Sequence, residues 1–369
     1  MSMKTEEIIL NNFNIEYPIE NLAPISDILF IDIETTGFLS ASSTIYLIGC
    51  AFYKDNNWCI KQFFANSEEE ESVILTAFMD FAKDFKFIIH YNGNTFDLPF
   101  IRSKAEKYSI DNILDTLDGL DIYRRITPYK NLLKLQDCKL STVETFLGID
   151  REDIFSGGEL IEVYKEYCTN HGYDLYHTLL LHNSDDMKGM LKILPILSYY
   201  DLFNSELTAT KVSSNFYQDM NGIARKELII NVAIKSSLPT AISFMGQACY
   251  FKASGNAGTL VVPIYEEEMK YFYANYKDYY YLPLEDTALH KSIASFVDKE
   301  YRTNATASNC YTRKTSLFLP QWSVINEPFF KRDYESTDLF FELTDEIKTN
   351  RKLFSDYVSH ILNKIAFQK

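Results

Sequence analysis

Phe30-Ile31-Asp32-Ile33-Glu34-Thr35-Thr36-Gly37 decides how the rest of the chain is read: a short apolar run carries two carboxylates and stops at a glycine. As a strand, its period-two alternation sends Asp32 and Glu34 to one face and Ile31 and Ile33 to the other. Two carboxylates on one pleat repel each other and lose hydration, so a fold keeps them where something positive sits between them. A divalent cation is the obvious occupant. Taken alone, the octad also reads as an exposed sheet edge running into a turn, and the rest of the chain decides between the two.

Just beyond it, Ile45–Tyr53 and Trp58–Phe64 read as strands joined across Asp55-Asn56-Asn57, so the chain opens as a hairpin meander. Before it, residues 1–24 are polar, poorly periodic and end in Pro24, and read as an N-terminal arm. Ser67 and Glu70 have capping-box spacing for a helix reaching about Lys83, which makes the acidic run Glu68–Glu71 a helix start. Lys86–Tyr91 reads as a strand, Asn92–Thr95 as a turn, and a helix begins near Phe96 and Asp97. Leu140–Gly148 reads as a helix with Gly148 as its C-cap, and another helix begins near Leu160. His177–Leu191 also has helical spacing, and on it His182 and Asp186, four apart, share a face.

A length of 369 residues makes two domains the default, and 46% apolar with 24% charged residues is a globular composition. No run approaches a membrane span and the first residues lack signal-peptide character, so the expectation is a cytoplasmic protein with no membrane partner. The six cysteines form no Cys-x-x-Cys pair and read as reduced core residues. A net charge of −15 argues against broad electrostatic adhesion to nucleic acid. Within Asp121–Lys139, however, Arg124, Arg125, Lys130, Lys134 and Lys139 outnumber the acids. That stretch is the candidate phosphate-facing surface, with a solvated helix face as the alternative.

Asp32, Glu34, Asp97 and Asp186, with His182 one turn before the last, have what a two-metal phosphodiester hydrolase requires: carboxylates converging from separate elements, and a base to take a proton from water. Three motifs in order, Asp32-Ile33-Glu34-Thr35-Thr36-Gly37, His90-Tyr91-Asn92-Gly93-Asn94-Thr95-Phe96-Asp97 and His182-Asn183-Ser184-Asp185-Asp186, resemble those of the DnaQ-like (DEDD) 3′→5′ exonucleases of the ribonuclease H-like superfamily, and within them the bacterial YprB-type branch. The resemblance covers about residues 25–198. It implies an α/β fold, a ribonuclease H-like mixed sheet flanked by helices, over residues 25–200. It further implies Mg²⁺ or Mn²⁺ in a two-metal site held by Asp32, Glu34, Asp97 and Asp186, with His182 as general base. Thr35, Thr36 and Asn92 would contact the terminal nucleotide, Arg124 and Arg125 the backbone, and the partner would be a single-stranded DNA or RNA 3′ end. One departure stands out. Histidine-bearing members place the base five residues before the last aspartate and tyrosine-bearing members four; here a histidine holds the tyrosine spacing.

Residues 205–369 read as a second, α+β domain. Strands are expected at Glu227–Lys235, Thr240–Lys252 and Thr259–Tyr265, broken at Ser236–Pro239 and Ser254–Gly258. A helix is expected near Leu289–Lys299, a hairpin at Cys310–Leu319 and a terminal helix from Asp338 to Ala366. The tyrosine-rich stretch Tyr271–Tyr281 could stack on unpaired bases or line an ordinary sheet. Against the exonuclease stand two alternatives: a non-catalytic ribonuclease H-like module that binds nucleic acid or protein, and a metal-dependent endonuclease.

Overall fold

The computed structural model describes residues 3–150 and 157–366, with backbone alone at Gly157. The chain forms two compact units. One runs to Asp201 and includes Ser236–Thr240; the other comprises Leu202–Lys235 and Ala241 onward.

The first unit is built on a six-stranded mixed sheet. Its strands are β1 (Lys4–Leu10), β2 (Ile28–Thr35), β3 (Ile45–Lys54), β4 (Asn57–Phe64), β5 (Phe87–His90) and β6 (Asp118–Asp121), in the order β1-β4-β3-β2-β5-β6. The meander β2-β3-β4 is antiparallel, and β5 and β6 run parallel to β2. Alternation along β2 works as the sequence dictates. Leu29, Ile31 and Ile33 enter the core formed with Ile74, Leu75 and Phe78 of helix α1 (Glu71–Ala82) and Phe100, Ile101 and Ala105 of helix α2 (Asp97–Tyr108). Asp32 and Glu34 are left on the other face.

After the short helix α3 (Ile122–Ile126), that second face is covered from the α4 (Leu140–Leu147), α5 (Gly157–Asn170) and α6 (Tyr173–Lys192) segment. Tyr46 and Phe64 pack there against Leu160, Tyr164, Tyr167, Tyr176 and Leu179. A long α6 thus crosses a buried sheet surface that bears two acids. Helix α7 (Leu197–Asn204) follows, after Pro195 has ended α6 in a single tight turn.

Two expectations for this unit need correcting. The stretch expected to be an N-terminal arm contributes a strand to the sheet: β1 pairs antiparallel with β4 along its whole length, Lys4 opposite Phe64 and Leu10 opposite Trp58. Its side chains are mostly exposed, as an edge strand permits, so no alternation marked it. The capping box is also not made. The Ser67 side chain caps nothing, and Glu70 reaches back to the backbone and side-chain nitrogens of Asn66, at 2.8 and 3.1 Å. The helix then starts through a short 3₁₀ turn, Glu68–Glu70.

The second unit carries a six-stranded sheet ordered β14-β15-β13-β9-β8-β7, from β7 (Thr208–Gln218), β8 (Ala224–Gly246), β9 (Cys249–Phe272), β13 (Tyr311–Gln321), β14 (Phe329–Phe330) and β15 (Leu339–Glu342). A small sheet of β10 (Tyr279–Leu282), β11 (Thr287–His290) and β12 (Thr303–Asn304) packs against helix α8 (Lys291–Ala294), while α10 (Arg351–Ala366), which follows α9 (Asp345–Thr349), packs on β7 and β9. Ser236–Pro239 and Ser254–Gly258 do not break strands; both lie inside the long strands β8 and β9. The helix expected at 289–299 shrinks to α8. The stretch Cys310–Leu319 is one strand rather than a hairpin, and the terminal helix is preceded by β15 and α9. In the tyrosine-rich stretch, Tyr273, Tyr276, Tyr279 and Tyr281 pack against Ala288, Ala305 and Cys310, with Tyr273 stacked on Tyr279 at 4.5 Å. These rings fill a satellite core.

Candidate metal and catalytic centre

Three elements converge on the acidic face of β2. From β2 come Asp32 and Glu34; from the first residue of α2 comes Asp97; from one face of α6 come His182 and Asp186. The placement of Asp97 follows from a tight turn after β5. Asn92 takes φ 60°, a conformation asparagine tolerates. Buried Asp121, at the end of the neighbouring strand, accepts from the Asn92 and Asn94 nitrogens at 2.9 and 3.3 Å. The buried His90 ring accepts at Nδ1 from Gly93 N, 3.1 Å away, so in this arrangement Nδ1 carries no proton. Asp97 Oδ1 then accepts from Ile33 N at 3.1 Å, which locks the start of α2 against β2 between the two strand acids.

His182 Nε2 lies 3.6 Å from both Glu34 Oε1 and Asp186 Oδ2. Ligand atoms of Glu34, His182 and Asp186 all fall within 4.8 Å of one another, a spacing able to hold a metal ion. Asp185, the residue before Asp186, pairs with Lys188 at 3.1 Å.

Burial, and then the nearby charges of Asp97, Glu34 and Asp186, raise the Asp32 carboxyl well above the usual carboxylate range, opposed by a hydrogen bond from Asn183. Burial pushes Asp97 up to about 7, against the backbone N–H groups that favour its ionised form. The buried phenol of Tyr46 is pushed up by burial and by Glu34, and its hydroxyl has no partner among the described residues. Clustered acids that raise one another's pKa, in a packed face, are the electrostatic signature of a site completed by a cation. Oxygen donors with one imidazole suit a hard or borderline divalent ion, so the residues present fit the metal site that the fold implies.

The other candidate residues are arranged differently. Thr35 Oγ1 donates to Gly37 O at 2.8 Å, and Thr36 exchanges hydrogen bonds with Thr44, accepting at Oγ1 from its N–H and donating its own N–H to its carbonyl, both at 2.9 Å. Both threonines therefore shape the loop leaving β2, whose tip exposes Phe38 and Leu39. Asn92 Oδ1 accepts from the Thr95 hydroxyl at 2.7 Å. Arg124 lies 3.8 Å from Asp121. Arg125 stacks on Tyr200 at 4.2 Å and lines a cleft of about 560 Å³ with Pro24, Lys86 and Asp118, at the end where the parallel strands begin. Sequence reasoning did not single out Asn183, Gln62, Asp121 or His90 for this site. Only their residue type marks them, since polar side chains in otherwise apolar elements need buried partners.

The profile of the RNase_H_2 family, of the RNase_H superfamily, matches residues 29–198. Comparison with curated proteins gives no match. Among solved structures the chain is similar to the family B DNA polymerase of the hyperthermophilic archaeon Pyrobaculum calidifontis, at 19% identity and TM-score 0.38, over 47% of this chain and 25% of that one. It is also similar to Escherichia coli exonuclease I, at 12% identity and TM-score 0.28 in two structures. One is a complex with a dT13 oligonucleotide, over 56% of this chain and 55% of that one; the other is the zinc-bound single-stranded DNA complex, over 91% and 70%. The chain thus spans a quarter of the polymerase and about half of the oligonucleotide-bound exonuclease. Superpositions this loose assign no residue a role. Residues 29–198 form a ribonuclease H-like domain, a mixed sheet flanked by helices, followed by a second, sheet-rich region.

Proposed function

We propose that this protein is a metal-dependent 3′→5′ exonuclease that hydrolyses the phosphodiester bonds of single-stranded DNA or RNA. One observation carries the reading: Asp32, Glu34, Asp97, His182 and Asp186 converge from three elements onto one packed face of a ribonuclease H-like sheet. Asp32, Glu34, Asp97 and Asp186 would hold two divalent cations, Mg²⁺ or Mn²⁺. Bound there, the cations supply positive charge to the reacting phosphodiester.

The chain's own groups have distinct tasks. Asp97, held by Ile33 N, keeps α2 fixed against β2 so that the carboxylates need not reorganise when substrate arrives. His182, between Glu34 and Asp186, takes the proton of the attacking water at Nε2. The loop shaped by Thr35, Thr36 and Thr44 offers Phe38 and Leu39 to the terminal bases, which aromatic and apolar side chains can support by stacking. Among the described residues no helix is long and apolar enough to cross a membrane.

The test uses 5′-labelled and 3′-labelled single-stranded DNA and RNA with Mg²⁺, Mn²⁺ or chelator. Stepwise ladders from the 5′ label, abolished by chelator, are the expected result. Internal cuts would replace the exonuclease by an endonuclease. Binding without cleavage in either metal would leave a nucleic-acid-binding module.

A further inference from the structure

Three cross-strand neighbours line up beneath α6: Asp32 on β2 sits opposite Gly49 on β3, and Gly49 opposite Gln62 on β4. The Asn183 side chain, fully buried, lies over the glycine and joins its two neighbours. Gln62 Nε2 donates to Leu180 O at 2.9 Å and to Asn183 Oδ1 at 3.0 Å, and Asn183 Nδ2 donates to Asp32 Oδ2 at 3.0 Å.

The direction of this chain of bonds is fixed. A backbone carbonyl can only accept, so Leu180 O demands the NH₂ side of Gln62. Gln62 Oε1 has no partner among the described residues, so nothing holds the amide the other way round. With Gln62 donating, Asn183 must offer its oxygen to Gln62 and its NH₂ to Asp32. The ambiguity that usually attends buried amides is thereby removed. Gly49 makes the arrangement possible, because a Cβ there would sit 2.7 Å from Asn183 Cγ and Nδ2 and closer still to Oδ1.

We infer that Gln62 and Asn183 are positioning residues that aim the Asp32 carboxylate at a divalent cation, acting in sequence from Gln62 through Asn183. The inference rests on the metal-nuclease reading above and names what tunes its metal affinity. Asn183 occupies Oδ2, which leaves Oδ1 as the oxygen offered to the metal. Its donated hydrogen bond also favours the ionised carboxylate among three acids that disfavour it. Hydrogen-bond partners one step removed from a metal alter its affinity by about 10- to 100-fold when removed.

The test is calorimetric titration of Mn²⁺ into the full-length protein and its variants. Asn183→Leu removes the donor. Gln62→Glu touches neither Asp32 nor substrate, yet a carboxyl there has at most one O–H where the amide donated two N–H bonds, so Leu180 O and Asn183 Oδ1 are no longer both satisfied and the Asn183 amide loses its fixed orientation towards Asp32. Gly49→Ala displaces Asn183 without altering any polar group. Each should weaken Mn²⁺ binding about 10-fold or more, and the Gln62→Glu/Asn183→Leu double variant should bind no worse than Asn183→Leu alone, because one acts through the other. Tyr164→Phe, which removes a buried hydroxyl bonded to Ala65 O on the same face, should leave the affinity within twofold. Wild-type affinity in Asn183→Leu, Gln62→Glu and Gly49→Ala would overturn the relay and leave the nuclease reading standing. So would an additive double variant, or an equal loss in Tyr164→Phe. A wild-type protein that binds no Mn²⁺ would overturn both.

Discussion

Two acids flank the start of the meander, one buried and one half-buried, and their surroundings are opposites. Glu71, the first residue of α1 and fully buried, accepts from Ile45 N at 2.7 Å and from the Tyr108 hydroxyl at 2.6 Å, and pairs with buried Lys104 at 3.2 Å. Lys104 in turn donates to Ser43 O. That carboxylate is complete: its charge is matched and both oxygens are occupied. Asp32, on the opposite face of the sheet, has an amide on one oxygen, and three further acids raise its pKa. The difference separates a structural acid from one that waits for a cation.

Substitutions that remove charge should break the two sites in opposite ways. Asp32→Asn and Asp97→Asn should each cost roughly 10³-fold or more in turnover while leaving the metal-free protein as stable as wild type or more so, since each relieves repulsion. Glu71→Gln should instead strand the Lys104 charge and destabilise by about 3–5 kcal/mol, read by urea unfolding. A destabilised metal-free Asp32→Asn protein would erase the contrast.

Next in size is His182. Alanine there should lower kcat on the order of 10²-fold with substrate binding largely kept. Because the histidine sits four residues before Asp186, His182→Tyr should recover part of that loss and His182→Phe none. Equal, wild-type turnover in all three variants would make His182 a packing residue.

Much of this contrast is visible in the chain before folding, for a physical reason. Asp32 and Glu34 interrupt a run that is apolar at every other position, and the helical spacing of His182 and Asp186 states their shared face. Glu71 carries no such mark, because its partner Lys104 comes from another helix. Gln62 and Asn183 are hidden for the same reason, since their bonds cross from β4 to α6. Strand β1 carries no alternation because an exposed edge needs none, and Ser236–Pro239 signals a turn although β8 continues through it.

A smaller effect should appear in pH dependence. The Asp97 carboxyl is raised to about 7 in the folded, metal-free protein, above an unfolded value near ~4. The stabilisation from its protonated form is therefore full below pH ~4 and is lost as pH rises towards about 7, a change of at most ~2–4 kcal/mol. Asp97→Asn should flatten that slope, and in wild type Mn²⁺ affinity should climb over the same window as the bound proton is displaced. A metal-free stability that rises with pH across this range would contradict the assignment.

The smallest effect is expected at Arg124 and Arg125, one beside Asp121 and the other stacked on Tyr200. Alanine at either should raise the oligonucleotide KM by only a few-fold and reduce the salt slope by about one per lost phosphate contact. An unchanged salt slope would return both to scaffold roles.

The claim that Asp32 belongs to a cluster short of positive charge is tested most directly by thermal unfolding of wild type and Asp32→Asn, each in chelator and in saturating Mn²⁺. In chelator the variant should melt at or above the wild-type temperature, and Mn²⁺ should raise the Tm of wild type far more than that of the variant. A variant that melts lower in chelator, together with a wild type indifferent to Mn²⁺, would place Asp32 with Glu71 as a structural acid.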